Sequence, residues 1–396
     1  MSPPIDLFKE NPARGIYITR EIDQSLFREL FPQILYLKAS NEPICLFIDS
    51  NGGRIYYADL IANLIRCPNQ NGKPFHLITV GVGYVASCAA DLLALGDYSI
   101  IYPFCHVHYH GTREQSNGIT LQEIPFLADN LRCTNEQYAL RLAGKMFRRM
   151  TFLIMEVALE KRIKQPPSGS PESNLLIDVT KLDVEIGKFE KLLAEKLAGV
   201  NGETQLFDDA LSKRKKFKEL VGSLRGFGID VKNEAALFTH LINLESKTYP
   251  KVKLTDLLPV IEDDYQQVMD FFFGKYQRDL HAIIAESQFA FLTPFEAQKC
   301  QTETNPQARL QFIIATVSPR LEPLWFLAVS LARTLQEGEF PMNPREAYWL
   351  GLVDEVVGSG LPCLRIRAQQ MQQMAHKMLA AQQKLSGAPP SPPATN

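Results

Sequence analysis

Three histidines occupy every second position in the stretch CHVHYHG, residues 105–111. If this stretch is a β-strand, its side chains alternate between two faces, so His106, His108 and His110 share one face. Imidazoles on one face could ligate zinc, supply a general base, or simply cover a strand. Glu114 is the nearest acidic residue in sequence, which leaves the hydrogen-bond partners of metal-bound imidazoles unidentified. The pattern therefore favours one catalytic histidine over a metal site.

Two glycine-containing turns precede the histidines. Gly52 and Gly53 follow an apolar run, and paired glycines allow a positive φ and a close approach of backbone N–H groups to a ligand oxygen. Ser87 stands where a glycine- and alanine-rich turn enters a predicted helix, a position whose N–H groups and dipole favour a developing oxyanion. The ordinary role of serine at such a position is the N-cap, and each turn by itself is compatible with a plain structural role.

The residues that could do chemistry lie in a segment of alternating short apolar runs and amphipathic patterns. This alternation predicts an α/β fold with a mainly parallel sheet. Runs rich in β-branched and aromatic residues predict strands at 15–19, 43–49, 75–82 and 98–103. Apolar residues spaced three and four apart predict helices at 23–40, 56–66 and 86–96.

From about residue 118 the pattern becomes predominantly helical. Residues 121–164 predict two or more amphipathic helices, and 343–358 predict a short helix ending near Gly351 and then a strand. The basic run 213–218 is typical of a solvated helix face. Further helices are predicted at 179–199, 264–287, 323–338 and 363–385, and a proline-rich disordered end follows.

The composition excludes several classes of protein. The chain has 396 residues, with 42 Lys and Arg against 44 Asp and Glu, so no basic excess points to nucleic acid or an anionic membrane. The N-terminus lacks the apolar run of a secretory signal, and an uninterrupted run of about 18 apolar residues is absent. We therefore expect a soluble cytoplasmic protein. Seven scattered cysteines without a Cys-x-x-Cys pair argue against a disulfide framework or structural zinc.

Taken together, the motifs resemble the Clp protease proteolytic subunit, a serine peptidase of the crotonase-like superfamily. IDSNGG at 48–53 is similar to the family's Ser-Pro-Gly-Gly, with Asn51 in place of proline. VASCAADLLALG at 85–96 is similar to its Ala-Ser-Met-Gly-Ala turn, and Pro103 precedes His110 by the family's seven residues. The resemblance implies a crotonase-like α/β core of repeated ββα and βαβ units.

The family's C-terminal signature reappears as EFPMNPREAYWLGLVDEV, which ends in Gly351-Leu352-Val353-Asp354. The resemblance then implies Ser87 as nucleophile, His110 as base and Glu339, in place of aspartate, as the acid. The other two histidines match variable positions. The implied oxyanion hole consists of backbone N–H groups of three residues, Gly52, Gly53 and Cys88. No metal or cofactor is required.

The resemblance covers 15–111 and 339–357, and more than 200 residues separate His110 from Glu339. It implies peptide or unfolded protein as substrate and self-association into an oligomer, while a partner unfoldase is left open. Residues 118–145 are similar to the start of the family's handle helix, whereas 146–335 has no counterpart. The predicted organisation is a first core part (1–117), a mainly helical insertion (118–335), core completion (336–362) and a C-terminal helix and tail (363–396).

Three other functions stay open at this point. The core could be a non-catalytic scaffold whose helical insertion binds a partner protein. It could be an acyl-CoA enzyme of the same superfamily, although carboxylates near the oxyanion hole are not evident. It could also be a metal hydrolase built on the three histidines.

Overall fold

The structure is a computed structural model that describes residues 7–68, 75–113, 123–164, 182–197 and 291–363. The strands are β1 (Gly15–Ile18), β2 (Ile44–Ser50), β3 (Leu77–Ala86), β4 (Tyr98–Ile101), β5 (His106–His110), β6 (Glu339–Met342) and β7 (Glu355–Val356). The helices are α1 (Gln24–Leu37), α2 (Ile55–Arg66), α3 (Cys88–Ala94), α4 (Glu123–Lys164), α5 (Leu182–Leu197), α6 (Pro294–Thr302), α7 (Pro306–Glu337) and α8 (Pro344–Trp349). A short 3-10 turn, Pro12–Arg14, precedes β1.

A mainly parallel sheet forms the centre of the fold, as the sequence predicts. Five strands lie in the order β1-β2-β3-β4-β7, and all their pairings are parallel. Besides its pairing with β2, β3 is long enough to pair with two further strands, with β4 along residues 78–81 and with β5 along residues 84–86. β6 then adds to β5 in antiparallel orientation. The C-terminal end of β3 therefore pairs with β5, the strand that carries the three histidines.

Helix α1 shows how the local sequence sets the elements around this sheet. Asp23 caps the helix, because its carboxylate accepts a hydrogen bond from the Leu26 N–H at 2.8 Å. Leu26, Leu30 and Ile34 follow at four-residue spacing, and all three are buried. The helix thus presents one apolar stripe to the core, as the amphipathic pattern predicts.

Helix α4 is one continuous helix where the sequence predicted two or more, so that prediction was wrong. Gly144 lies near the middle of its 42 residues, but one glycine costs only about 1 kcal/mol in a helix. The helix packs along α7, with the rings of Phe147 and Trp325 5.4 Å apart. This shared apolar interface holds α4 together across the glycine.

Helix α7 begins at Pro306, well before the predicted start at Pro323. Proline favours the first turn of a helix, which made Pro323 a plausible start, yet the helix runs through both Pro319 and Pro323. Among the described helices, α7 has the length and apolar composition needed to cross a membrane, but half of its most apolar stretch is buried inside the protein. A core helix of a soluble protein has the same properties.

The end of the chain returns to the core. α7 leads into β6, α8 follows, and β7 pairs with β4. Asp354, next to β7, forms a buried ion pair with Lys145 of α4 and accepts the Ser99 N–H at 2.8 Å. The ammonium of Lys145 also donates to the Gly96 carbonyl oxygen at 3.1 Å. The short helix and strand predicted at 343–358 are confirmed.

Several predicted features fall outside the described residues. These are the basic run at 213–218, the helices predicted at 264–287 and 363–385, and the C-terminal tail. The boundaries assigned to the insertion therefore stay predictions.

Candidate functional site

Ser87 is the single residue between β3 and α3. Its φ is 57° and its ψ is −136°, and it is the only non-glycine residue with positive φ in the described part of the chain. Such a conformation is costly for a residue with a Cβ, and strained residues of this kind cluster at functional sites. The Ser87 N–H donates to the His108 carbonyl oxygen at 2.9 Å, which ties the turn to the histidine strand.

The Ser87 side chain does not perform the structural role that the sequence offered as its alternative. Ser87 occupies the N-cap position of α3, yet its hydroxyl makes no capping hydrogen bond. The side chain is half-buried. A serine held in a strained conformation without capping the helix is an accessible hydroxyl fixed at a helix N-terminus, where the helix dipole favours negative charge.

Gly52 packs directly against Ser87. A Cβ on Gly52 would lie 2.6 Å from the Ser87 Cβ and 2.7 Å from the Ala86 carbonyl oxygen, and the φ of Gly52 is 91°. Both the close approach and the backbone conformation require glycine. The structure therefore brings the paired glycines to the serine, as the sequence predicts.

The three predicted oxyanion donors differ in their surroundings. The Gly52 N–H donates to the Ser50 hydroxyl at 3.1 Å, so this donor is already engaged. The Gly53 backbone faces the Cys88 thiol, whose pKa burial raises to about 12, partly offset by a hydrogen bond from Gly53. As the first residue of α3, Cys88 has an N–H without an intrahelical acceptor. Both glycine N–H groups thus face other acceptors in the absence of a substrate, and Cys88 offers the N–H at the helix start. The Cys88 thiol is too weakly acidic to act as a nucleophile.

Strand β5 confirms the predicted alternation of faces. Val107 and Tyr109 are buried, with 0% and 1% of their surface exposed, whereas the three histidines that alternate with them lie on the accessible face. The rings of His108 and His110 meet edge to face with centroids 5.8 Å apart. In the described part of the chain, no group of three or more His, Cys, Asp or Glu side chains is arranged to hold a metal ion.

His110 is held by its own backbone neighbour. Its Nδ1 lies 2.7 Å from the Gly111 carbonyl oxygen, and because that oxygen can only accept, Nδ1 is the donor. In the neutral ring the proton then sits on Nδ1, and Nε2 carries the free lone pair. That tautomer is the one a general base needs. Among the described residues, however, no hydrogen bond joins Ser87 to His110.

Glu339 is brought to the site as predicted, but to a different histidine. It lies opposite His110 in the antiparallel β5–β6 register. Its carboxylate accepts from Nε2 of His108 at 3.1 Å and forms an ion pair with Arg113. Nδ1 of His108 then accepts from the Tyr84 hydroxyl at 3.0 Å. The described contacts place Glu339 on His108 rather than on the predicted base, His110.

The network around His108 had not been anticipated from the sequence. Burial lowers the pKa of His108, and repulsion from the neighbouring His110 imidazole and from Arg113 lowers it further, so the neutral ring is favoured. A signal was present: Tyr84, three residues before Ser87, lies on the same strand face as His108 once the parallel β3–β5 register is known. The register itself cannot be read from the sequence.

Two openings lie near Ser87, one lined by the paired glycines and one by Cys88. One is a groove of about 580 Å³, lined by residues 19–21, 49–53 and Tyr84. The other is a cavity of about 260 Å³ between α2, α3 and α4, with Cys88 and Asp91 in its wall. Asp91 was not singled out in the sequence, although a lone carboxylate in the apolar helix CAADLLA is a signal that could have found it.

These features define an α/β protein with a strained serine between a glycine pair and a histidine strand. The Clp protease family model matches residues 6–148, a range that contains Ser87 and His110 but not Glu339. This part of the chain is thus Clp-protease-like, and residues 149–396 lie beyond the match.

Individual relatives agree with that assignment over a limited length. The ATP-dependent Clp protease proteolytic subunit 2 of Pseudomonas aeruginosa is 29% identical over 86 residues, which are 22% of this chain and 40% of that protein. The chain therefore spans less than half the length of this relative. A solved structure of a ClpP1 mutant from Listeria monocytogenes is 26% identical and covers 33% of this chain and 70% of that one, with a TM-score of 0.29.

Proposed function

We propose that this protein is a Clp-protease-like serine peptidase that hydrolyses peptide bonds at Ser87. The observation that carries the proposal is the conformation of Ser87: a positive φ at the entrance of α3, a hydroxyl free of the capping role, and Gly52 in contact with its Cβ. The family match over 6–148 supports the same assignment.

In the proposed reaction, the Ser87 hydroxyl attacks the peptide carbonyl while Nε2 of His110 takes the hydroxyl proton. The carbonyl oxygen becomes an oxyanion that accepts hydrogen bonds from the Gly53 and Cys88 N–H groups, with Gly52 as the third predicted donor. His110 then returns the proton to the leaving amine, and an acyl-enzyme forms at Ser87. Water, deprotonated by His110, releases the acyl group and restores the serine.

The Gly111 carbonyl oxygen supports this role for His110, because it fixes the proton on Nδ1. Catalytic hydrogen bonds are often long or absent without substrate and tighten when it binds, so the missing Ser87–His110 contact does not exclude the dyad. Glu339 is the predicted acid, and its bond to His108 places its negative charge beside the two neighbouring imidazoles. We assign it an electrostatic role in the site.

The substrate, oligomer and location belong to the same proposal. The groove beside Gly52 and Gly53 runs past the carboxyl ends of β1 and β2, and its size suits an extended peptide. Peptides or unfolded proteins are thus the proposed substrates, and a cytoplasmic homo-oligomer is the proposed form. The family resemblance is the basis for the oligomer, and the absence of a secretory pattern is the basis for the location.

Labelling with a fluorophosphonate tests the proposal directly. The probe should attach to Ser87 in the folded full-length chain, and attachment should be lost in Ser87→Ala and strongly slowed in His110→Ala. His106→Ala is the matched control, since His106 lies on the same strand face and is exposed. A folded protein that reacts with no probe and cleaves neither fluorogenic peptide nor unfolded protein would leave the non-catalytic scaffold as the better assignment.

A further inference from the structure

The cavity between α2, α3 and α4 begins next to the proposed nucleophile. Cys88, which directly follows Ser87, contributes to its wall, and Asp91 and Leu92 continue that wall one helical turn further along α3. Residues three and four apart share a helix face, so this wall is continuous. In a peptide bound with its carbonyl at Ser87, the side chain on the residue of that carbonyl would lie close to Cys88, the next residue in the chain. This cavity is therefore a candidate binding space for that side chain.

Two carboxylates, Asp59 and Asp91, line the end of the cavity near Cys88. Asp91 reaches into it from α3, and its described partner is the neutral amide of Gln336, with Nε2 donating at 2.9 Å. The nearby carboxylate of Asp59 is already matched, because Arg141 binds it at 2.7 Å. After this pairing, one carboxylate at the Cys88 end has no cation bound to it.

Tyr138 provides a second, independent sign of an absent ligand. Its side chain comes from α4 and lines the cavity, and the residue is 95% buried, with 5% of its surface exposed. Its hydroxyl is buried and makes no hydrogen bond of normal geometry among the described residues, and the carboxylate of Asp59, which Arg141 already binds, lies nearby. Buried hydroxyls are normally paired, so an unpaired one beside a cavity points to a group that binds there.

Four cations line the cavity: Arg141 lies over the Tyr138 ring and is paired with Asp59, and the other three lie toward Asp97 and are also paired. Arg66 binds Asp97 at 2.8 Å, Lys145 binds Asp354, and Arg148 donates to the Asp97 carbonyl oxygen at 3.1 Å. Asp91 is therefore the carboxylate at the Ser87 end that no side-chain cation binds among the described residues. A long cationic side chain entering from Ser87 would meet Asp91 and the Tyr138 hydroxyl before reaching the three cations near Asp97.

We propose that this cavity binds a lysine or arginine side chain immediately before the scissile bond, with Asp91 and Tyr138 as the residues that select it. The inference rests on the proposed peptidase function and adds its substrate class. A volume of about 260 Å³ is below the usual range for a small-molecule pocket and suits a single side chain. An apolar side chain would instead leave Asp91 and Tyr138 unpaired in a drier site, which is unfavourable.

The test uses peptidyl phosphonates that differ only in the side chain next to phosphorus: lysine-like, norleucine-like or glutamate-like. The second-order rate of Ser87 labelling is measured for the full-length protein. The lysine-like probe should react about tenfold faster than the norleucine-like probe, as expected for hydrogen bonds to a charged group. Asp91→Asn should abolish this preference, Tyr138→Phe should reduce it, and Asp183→Asn, an exposed carboxylate on α5, should leave it unchanged.

The outcomes separate the two proposals. Equal or faster reaction with the norleucine-like probe, or an undiminished preference in Asp91→Asn and Tyr138→Phe, overturns the inference and leaves the peptidase assignment intact. Failure of every phosphonate and of the small fluorophosphonate overturns the peptidase assignment. In that case, titration of Ser87→Ala with acetyl-lysine methylamide against acetyl-norleucine methylamide still decides the cavity: selective binding of the lysine compound supports it, and equal or absent binding overturns it.

Discussion

Glu339 lies directly opposite His110 in the antiparallel β5–β6 pair, yet its carboxylate contacts His108, two residues away along β5. The two neighbouring histidines on this strand face therefore have different hydrogen-bond partners. His110 is oriented by a backbone carbonyl, and His108 by a carboxylate and the Tyr84 hydroxyl. This division distinguishes a serine-histidine dyad from a full triad and can be tested.

Removing the base should abolish most activity. His110→Ala is expected to lower kcat/KM for a fluorogenic peptide by roughly 10²- to 10⁴-fold, the usual contribution of general base catalysis. His106→Ala should stay close to the unaltered protein. The reverse ranking, with His108→Ala as the most damaging change, would identify His108 as the base.

The division between the two histidines predicts a mild effect of Glu339. Because its carboxylate contacts His108 and Arg113 in the structure, Glu339→Gln should lower kcat by less than about tenfold, with His110→Ala as the reference. Loss of a triad acid that holds the catalytic imidazole costs about 10⁴-fold. A fall of that size would show that Glu339 turns to His110 when substrate binds.

Gly52 should tolerate no side chain. Gly52→Ala places a Cβ 2.6 Å from the Ser87 Cβ at a φ of 91°. We expect a loss of about 1–3 kcal/mol in the free energy of unfolding from backbone strain, together with a loss of Ser87 labelling. Gly187→Ala in α5 is the control, because nothing lies within 4 Å of its added Cβ and alanine favours a helix. Urea unfolding and labelling rates measure both effects.

The buried ion pair that closes the fold should be costly to break from one side. Asp354→Asn or Lys145→Met alone is expected to lower the free energy of unfolding by about 3–5 kcal/mol, since each leaves an uncompensated buried partner. The double variant Lys145→Met with Asp354→Leu should recover part of that loss. Glu29→Gln, at an exposed ion pair with Arg20, should change stability by less than about 1 kcal/mol. Additive losses in the double variant would contradict the pairing.

Asp91 should make stability depend on pH near neutrality. Burial raises its pKa from 3.8 to about 7, with Gln336 and Arg141 opposing the shift. The folded protein therefore holds this proton more tightly than the unfolded chain. The resulting stabilisation is present below about pH 4 and is lost as the pH rises through 7.

Asp91→Asn cannot titrate, so its advantage in free energy of unfolding over the unaltered protein should grow from pH 4 to pH 8, to roughly 2–4 kcal/mol. Chemical denaturation across this range measures the difference. Asp183→Asn, on the exposed face of α5, should show no such trend. A difference that is constant with pH would show that Asp91 has an ordinary pKa.

Local patterns sufficed for the parts of the fold that depend on neighbouring residues. The alternation of CHVHYHG predicted the strand face of β5, and the apolar runs predicted the parallel sheet. The position of Ser87 at the start of α3 was predictable for the same reason. The length of α4 was not, because its continuity across Gly144 depends on packing against α7.

The features that escaped prediction depend on contacts between distant segments. Whether Glu339 binds His108 or His110 is decided by a side-chain rotamer and by Arg113, and neither choice has a local pattern. In the sequence, Asp91 is a single charged residue in an apolar helix. Its place in a cavity wall becomes visible only when α2 and α4 are packed against α3. Gln336, which donates to Asp91, lies more than 200 residues further along the chain.

The late return of β6 to β5 has a consequence for the time course of biosynthesis. Ribosomes add about 5–20 residues per second, so roughly 10 to 50 seconds separate the emergence of His110 from that of Glu339. During this interval the nascent chain already carries the serine and the histidine strand, while the outer edge of that strand is unpaired and Asp354 has not yet reached Lys145. Ser87 and His110 are thus synthesised well before β6 and Asp354 can complete the sheet and the ion pair around them.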